Sequence, residues 1–233
     1  MTRRGGMGLL AASAALVGCG SASDSASYRF RMTVEVTTPQ GVRTGSSVYQ
    51  VTAFKGISVG DRGGGGTELS GEAVVIDLPD GPIFALLSNG NPAETLAGIA
   101  TEAFATVENR PISGFDEFFA AVARLGSRWS TLQTDLPRRR DSGILKRTDG
   151  DEDNNWPMFL RFRDIGDPKS VERIEPETIG VTRIRLETTR DAVTTGVKKR
   201  LPSFKASSGF DAWYAELPMT DPRRVTLDDF TRG

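Results

Sequence analysis

The sequence predicts an α+β protein: a mostly antiparallel sheet built from hairpins, with two helices packed on one face. Three observations carry this. Tyr28 to Val36 alternates apolar and polar residues, the period-2 signature of a half-buried strand. Asp80-Gly81 lies between two apolar runs, Ala73–Leu78 and Ile83–Leu87, as the turn of a hairpin. From Leu96 the apolar spacing lengthens to that of a helix, and the helical stretches cluster between groups of strands, which argues against alternating βαβ units.

Taken in order, Arg3 and Arg4 form a short positive region and Met7 to Gly18 an apolar, small-residue run, the pattern of a secretory signal peptide over 1–18. The run is well short of the roughly 20 residues needed to cross a bilayer as a helix. Residues 19–27, Cys19 followed by Gly, Ser, Ala and one Asp, read as a flexible tether. Tyr28, Phe30, Met32, Val34 and Val36 then share one strand face, opposite Arg29, Arg31, Thr33 and Glu35. Thr37 to Gly41 is a turn, and Val42 to Phe54 a second strand, so Tyr28–Phe54 is expected to be a long hairpin. Gly45 inside it marks either a bulge or the close approach of another backbone, and a twist-relieving bulge is the simpler expectation. Ser58 to Gly66 is a glycine-rich loop that lacks the Lys-Ser/Thr and following helix of a phosphate cradle. Thr67–Leu78 reads as one strand, and the hairpin it enters as the centre of the sheet.

Asn91, Pro92 and Glu94 fit the cap, first position and third position of a helix whose inner stripe is Leu96, Ile99, Ala100, Ala103 and Phe104. A second helix is expected from Phe115 to Leu125, with Phe115, Phe118, Phe119, Val122 and Leu125 inward and Gly126 as its stop. Residues 133–155 form a polar excursion. Trp156–Phe162, Val171–Ile174 and Val181–Thr188 are strands, with a turn at Asp167-Pro168. Thr194–Leu201 is expected to make one or two helical turns before Pro202, and the tail around Trp213, Tyr214 and Leu217 to lack regular structure. The whole of 28–233 is expected to be one domain.

Leu16-Val17-Gly18-Cys19 resembles the bacterial lipobox. The resemblance implies a diacylglycerol thioether on Cys19, cleavage before it and acylation of the new amine. Cys19 is the only cysteine, so no internal disulfide can form, and a lipid thioether would cap an otherwise reactive thiol in an oxidising compartment. Acyl chains contribute about 0.8 kcal/mol per buried CH₂, and two or more give stable anchoring. Gly20, where an inner-membrane retention signal would place Asp, implies outer-membrane delivery. Tyr28–Val36 with Pro39, Gly41 and Thr44-Gly45-Ser46-Ser47-Val48, then Asp167–Val171 and Val193–Pro202, resemble segments of a family of uncharacterised exported proteins of Gram-negative bacteria. That resemblance implies a shared fold and assigns no chemistry.

The chain has 29 basic and 30 acidic residues and a net charge of −1, and loss of Arg3 and Arg4 makes the mature form more acidic. No basic excess marks a nucleic-acid partner. With no histidine, Ser-His-Asp and Cys-His catalysis and His-ligated metal sites are excluded. Asp149, Asp151 and Asp153 alternate like the first ligands of a calcium loop, but Asn154 stands where the turn wants Gly and Leu160 where the closing Glu belongs; a solvated acidic turn is the competing reading. Arg138, Arg139 and Arg140, with Lys146 and Arg147, form a charged loop or a contact for anionic headgroups or a polyanionic polymer. Ser203 with Lys205, and Asp116 with Glu117, are neighbours in sequence that do not face each other, so no catalytic or cofactor-binding residue is assigned. The expectation is a lipid-anchored envelope module facing the periplasm, non-enzymatic, binding an envelope protein or polymer through an edge of the Tyr28–Phe54 hairpin. The alternative is a His-independent hydrolase of an envelope polymer, which would need a pocket with convergent carboxylates or a buried Ser-Lys pair.

Overall fold

A computed structural model describes residues 25–56, 65–89, 95–128, 131–138, 155–204, 209–219, 221 and 223–233. Strands β1 (Ser25–Thr38) and β2 (Gly41–Lys55) pair antiparallel without a break, from Ser25 opposite Phe54 to Thr38 opposite Gly41. The alternation of β1 is what the pleat requires: Tyr28, Phe30, Met32, Val34 and Val36 are buried and the intervening residues are not. β3 (Gly65–Glu72) follows β2 in space. β9 (Val181–Thr188) flanks β1 on its other side, so β1 is central. Short strands close the sheet: β6 (Gln133–Asp135) beyond β9 and β10 (Thr231–Arg232) beyond β3. With helices α1 (Leu96–Val107) and α2 (Phe115–Ser127), the molecule is α+β with mostly antiparallel strands.

Thr67–Leu78 is not one strand. The chain turns at Gly71, whose φ is +144° and where a Cβ would meet the Tyr49 ring at 2.6 Å, and after Ala73 it re-enters as β4 (Val74–Leu78) of a different sheet. That second sheet runs β4, β5 (Gly81–Ala85), β7 (Phe159–Phe162), β8 (Val171–Ile174), with β4 at its edge. The Asp80-Gly81 hairpin therefore opens a second sheet instead of filling the centre of the first. Its largely apolar character has a simple cause, because away from the turn, where Asp77 is exposed, both of its faces are packed. Val74, Ile76, Ile83 and Ala85 pack toward the first sheet, and Phe84, Leu86, Leu160 and Phe162 pack into a separate cluster with Val225 and Phe230.

Covering that outer cluster explains why the tail is regular where none was expected. It forms α3 (Phe210–Glu216) and α4 (Leu227–Phe230) before β10. Phe230 meets Phe84 edge-on with ring centroids 5.6 Å apart, and Phe204 meets Phe162 at 6.2 Å. Residues 197–200 make only one 3-10 turn.

Other expectations shift in instructive ways. α1 is capped by Thr95, whose hydroxyl accepts from the Gly98 amide; Asn91, Pro92 and Glu94 lie outside the described residues. Gly126 does not stop α2 but lies inside it, where a Cβ would come within 2.1 Å of the Ser27 carbonyl oxygen. The helix backbone rides directly on β1, so Ala121, Val122 and Leu125 are buried and Phe115, Phe118 and Phe119 only half-buried. Gly45 is no bulge: the β1–β2 register runs through it unbroken, and a Cβ there would lie 2.2 Å from the Val75 carbonyl oxygen. It is the point where β4 crosses the hairpin. The start of the polar excursion is also structural, since β6 pairs with β9, Leu136 is buried, and buried Asn155 donates to the Pro137 carbonyl.

Candidate functional site

In β2 the backbone groups of successive residues point to opposite sides of the strand. The Val48 amide donates to Thr194 Oγ1 at 2.9 Å and its carbonyl accepts from the Thr194 amide at 3.1 Å, so the even-numbered residues face away from β1. From Gln50 to Lys55 that side is taken by β3. Toward the tip no described residue replaces it. Val42, Thr44 and Ser46 are exposed, with Val42 at 62% of its full area, and their outward N–H and C=O groups have no partner among the described residues.

The opening is a direct result of the sheet switch. Had β3 continued past Glu72 it would have covered this edge; it leaves at Gly71 for the second sheet. Glu72 is held at the corner, buried, with its carboxylate accepting from the Val197 amide at 2.6 Å. The same corner buries two hydroxyls, Ser47 Oγ and Tyr49 OH, near each other, and neither makes a hydrogen bond of normal geometry among the described residues. Burial pushes the Tyr49 phenol well above its usual range. By contrast Tyr28 OH lies 2.9 Å from Thr101 Oγ1, which itself donates to the Ala97 carbonyl.

At the same end of the hairpin, the tips of the β1–β2 and β4–β5 hairpins enclose a cleft of about 490 Å³, lined among others by Thr37, Thr38, Gln40, Asp80, Arg161 and Glu177. Several of its charges are already engaged. Arg161 Nε donates to Glu172 at 3.0 Å, and Glu177 is ion-paired with Arg138, whose guanidinium sits 5.9 Å over the Trp156 ring. Arg163 and then Arg161 hold the Glu172 carboxyl below its usual range. A second cleft, of about 290 Å³, lies where Tyr28 and Arg29 face Arg128 and Thr188. There Arg29 Nε donates to Gln50 and Arg128 is ion-paired with Glu108.

Several residues nominated from sequence lie outside the described residues: Cys19, Asp149, Asp151, Asp153, Arg139, Arg140, Lys146, Arg147 and Lys205. Among the described residues no group of three metal-ligating side chains is present, and no helix is long and apolar enough to cross a membrane. Arg138 serves the fold through Glu177 and Trp156. Ser203 is exposed. Asp116 and Glu117 sit on the first turn of α2, Asp116 3.5 Å from Lys55 and Glu117 accepting from Ser113, so they do not converge. The hairpin edge expected over Tyr28–Phe54 narrows to Val42–Ser46, because β1 is central and the rest of β2 is covered. Sequence reading missed the Asp80–Glu177 cleft altogether: its walls come from turns nearly a hundred residues apart, and turn residues carry no periodic signal. No family model, curated protein or solved structure matches the chain.

Proposed function

We propose that this protein is a lipid-anchored envelope module, attached through Cys19 to the outer membrane and facing the periplasm, that binds an extended segment of another envelope protein by adding it as a strand beside Val42–Ser46. One observation carries the binding reading: three successive outward-facing residues of β2, Val42, Thr44 and Ser46, are exposed, and their backbone donors and acceptors have no partner among the described residues. Strand addition uses such groups for affinity and the flanking side chains for selectivity. Arg43, exposed on the same stretch, favours a partner segment carrying a carboxylate at the neighbouring position. The anchoring reading is supported by the lipobox and by the lack of any other cysteine.

Two measurements test it. Intact mass of the protein from membranes should show acylation that begins at Cys19 and is lost in Cys19→Ser; an unlipidated product sinks the anchor. A photo-crosslinker in place of Arg43 should yield one dominant envelope adduct, lost when Thr44→Pro removes the central outward N–H. An unchanged adduct sinks strand addition.

A second reading, a His-independent hydrolase of an envelope polymer, draws support from the carboxylates of Asp80 and Glu177 on the walls of one cleft. Turnover of a purified envelope polymer that disappears in Asp80→Asn would displace the first reading.

A further inference from the structure

The opposite end of the hairpin carries a different surface. Ser25, the first described residue, pairs with Phe54, and Phe54 in turn pairs with Gly66 of β3. Phe54 is 39% exposed and its ring lies over Gly66, where a Cβ would meet it at 2.4 Å. On the other face Phe115 covers Gly65 in the same way and stacks on Phe118 with centroids 6.5 Å apart. Lys55 Nζ sits 4.9 Å over the Phe119 ring and 3.5 Å from Asp116. Four phenylalanines and a lysine thus rim one end of the sheet, partly open to solvent, with Asp116, Glu117 and Glu68 as the acidic residues nearby.

The chain before Ser25 decides what meets this rim. Six residue steps separate Cys19 from Ser25, a span of at most about 20 Å when fully extended. A lipid on Cys19 therefore keeps this end of the sheet within a short distance of a bilayer and leaves the tip remote. Phenylalanine rings with a lysine among them suit the headgroup layer, where one side of a group is apolar and the other wet. The acidic neighbours exclude an attraction based on anionic lipid.

Building on the Cys19 anchor proposed above, we infer that the Phe54–Phe115–Phe119 rim rests in the headgroup layer of the membrane that holds the lipid, fixing the domain with its Val42–Ser46 edge pointing away. The contact is made by aromatic rings, so it forms on zwitterionic phospholipid and persists at high salt.

The test uses the full-length, lipidated protein. Because the lipid occupies Cys19, a cysteine introduced elsewhere is the one free thiol for an environment-sensitive fluorophore. Three labelled forms are compared in phosphatidylethanolamine–phosphatidylcholine vesicles: Phe54→Cys in the rim, Thr67→Cys on the exposed strand beside it, and Val42→Cys at the tip. A blue shift and quenching by lipid-borne quenchers at 54 and 67, with neither at 42, is the expected result; Thr67→Cys leaves every ring in place and guards against a fold defect at 54. Equal emission at all three positions in protein whose mass shows the lipid overturns the rim contact and leaves the anchor standing. A mass without lipid overturns both.

Discussion

At its Ser25 end the β1–β2 hairpin is flanked by β3 along β2, crossed by α2 and rimmed with phenylalanine, whereas toward its far end, roughly 45 Å away at about 3.3 Å per residue, it is flanked by β9 along β1 and its β2 edge has no strand beside it among the described residues. Each end also has one glycine pressed against a foreign carbonyl: Gly126 on Ser27, and Gly45 under Val75. The difference lies in what surrounds those contacts. Near Ser25 the covered flank is that of β2, against β3; toward the tip it is that of β1, against β9, and β2 is left open among the described residues. One strand pair thus holds a stable base and an available edge without any change in its own pairing.

The glycines offer the largest test. Gly126→Ala places a methyl 2.1 Å from the Ser27 oxygen and forces α2 off β1, so a loss of about 3 kcal/mol is expected, read from the midpoint of urea unfolding. Gly45→Ala meets Val75 at 2.2 Å but near a free edge that can yield, and about half that loss is expected. Equal losses would mean the tip is as rigid as the base.

Neighbouring prolines sharpen the edge itself. Arg43 faces β1 and pairs with Val36, so Arg43→Pro removes a ladder bond and orphans a carbonyl, costing about 2 kcal/mol. Thr44→Pro removes a group that faces outward; stability should change by less than about 0.5 kcal/mol, while the envelope crosslink is lost. A large loss of stability at position 44 would show that the edge is paired in the free protein.

Two tyrosines give a smaller contrast. Tyr28→Phe deletes a hydroxyl bonded to Thr101 and should cost about 1 kcal/mol. Tyr49→Phe deletes a buried hydroxyl whose contact with Ser47 falls short of normal hydrogen-bond geometry and should be neutral or stabilising by up to about 1 kcal/mol. Parallel melts of the two variants decide it.

Acidification gives the smallest effect. Hydrogen bonding to Arg183 holds Asp135 below its usual range, and Arg223 holds Asp221 at about 2. A depressed carboxylate contributes stability that is present above its unfolded value and lost as pH falls through its folded value. Stability should therefore be nearly flat from pH 8 to pH 5, where a chain without histidine has little to titrate, and should decline from about pH 4 toward pH 2. Asp221→Asn should flatten the lowest part of that decline. These pairs are solvent-exposed, so the slope is shallow.

Strands with one wet face were legible in the sequence because burial alternates along them: β1 and β9 follow the alternation of Tyr28–Val36 and Val181–Thr188. Strands buried on both faces lose that alternation, and with it any sign of which sheet they join; Val74–Leu78 reads as the continuation of β3 for this reason. The edge at Val42–Ser46 was indistinct for a related cause. Whether a strand is paired depends on where its neighbour turns away, and that is decided at Gly71 and Ala73, far along the chain. The aromatic tail looked irregular because its prolines break any period, while its rings are ordered by Phe84 and Phe162, which lie on other strands.

The central place of β1 also orders events in time. One flank of β1 is completed by its immediate neighbour β2, and the other only by β9; Arg29 and Asp191, which meet there, are 162 residues apart. Closing so long a loop is slow, and sheets with distant partners fold over about milliseconds to seconds where helical bundles need microseconds to milliseconds. A chain emerging from its N-terminal end must therefore carry a half-built sheet, one hairpin with an empty side, until residues 181–188 arrive.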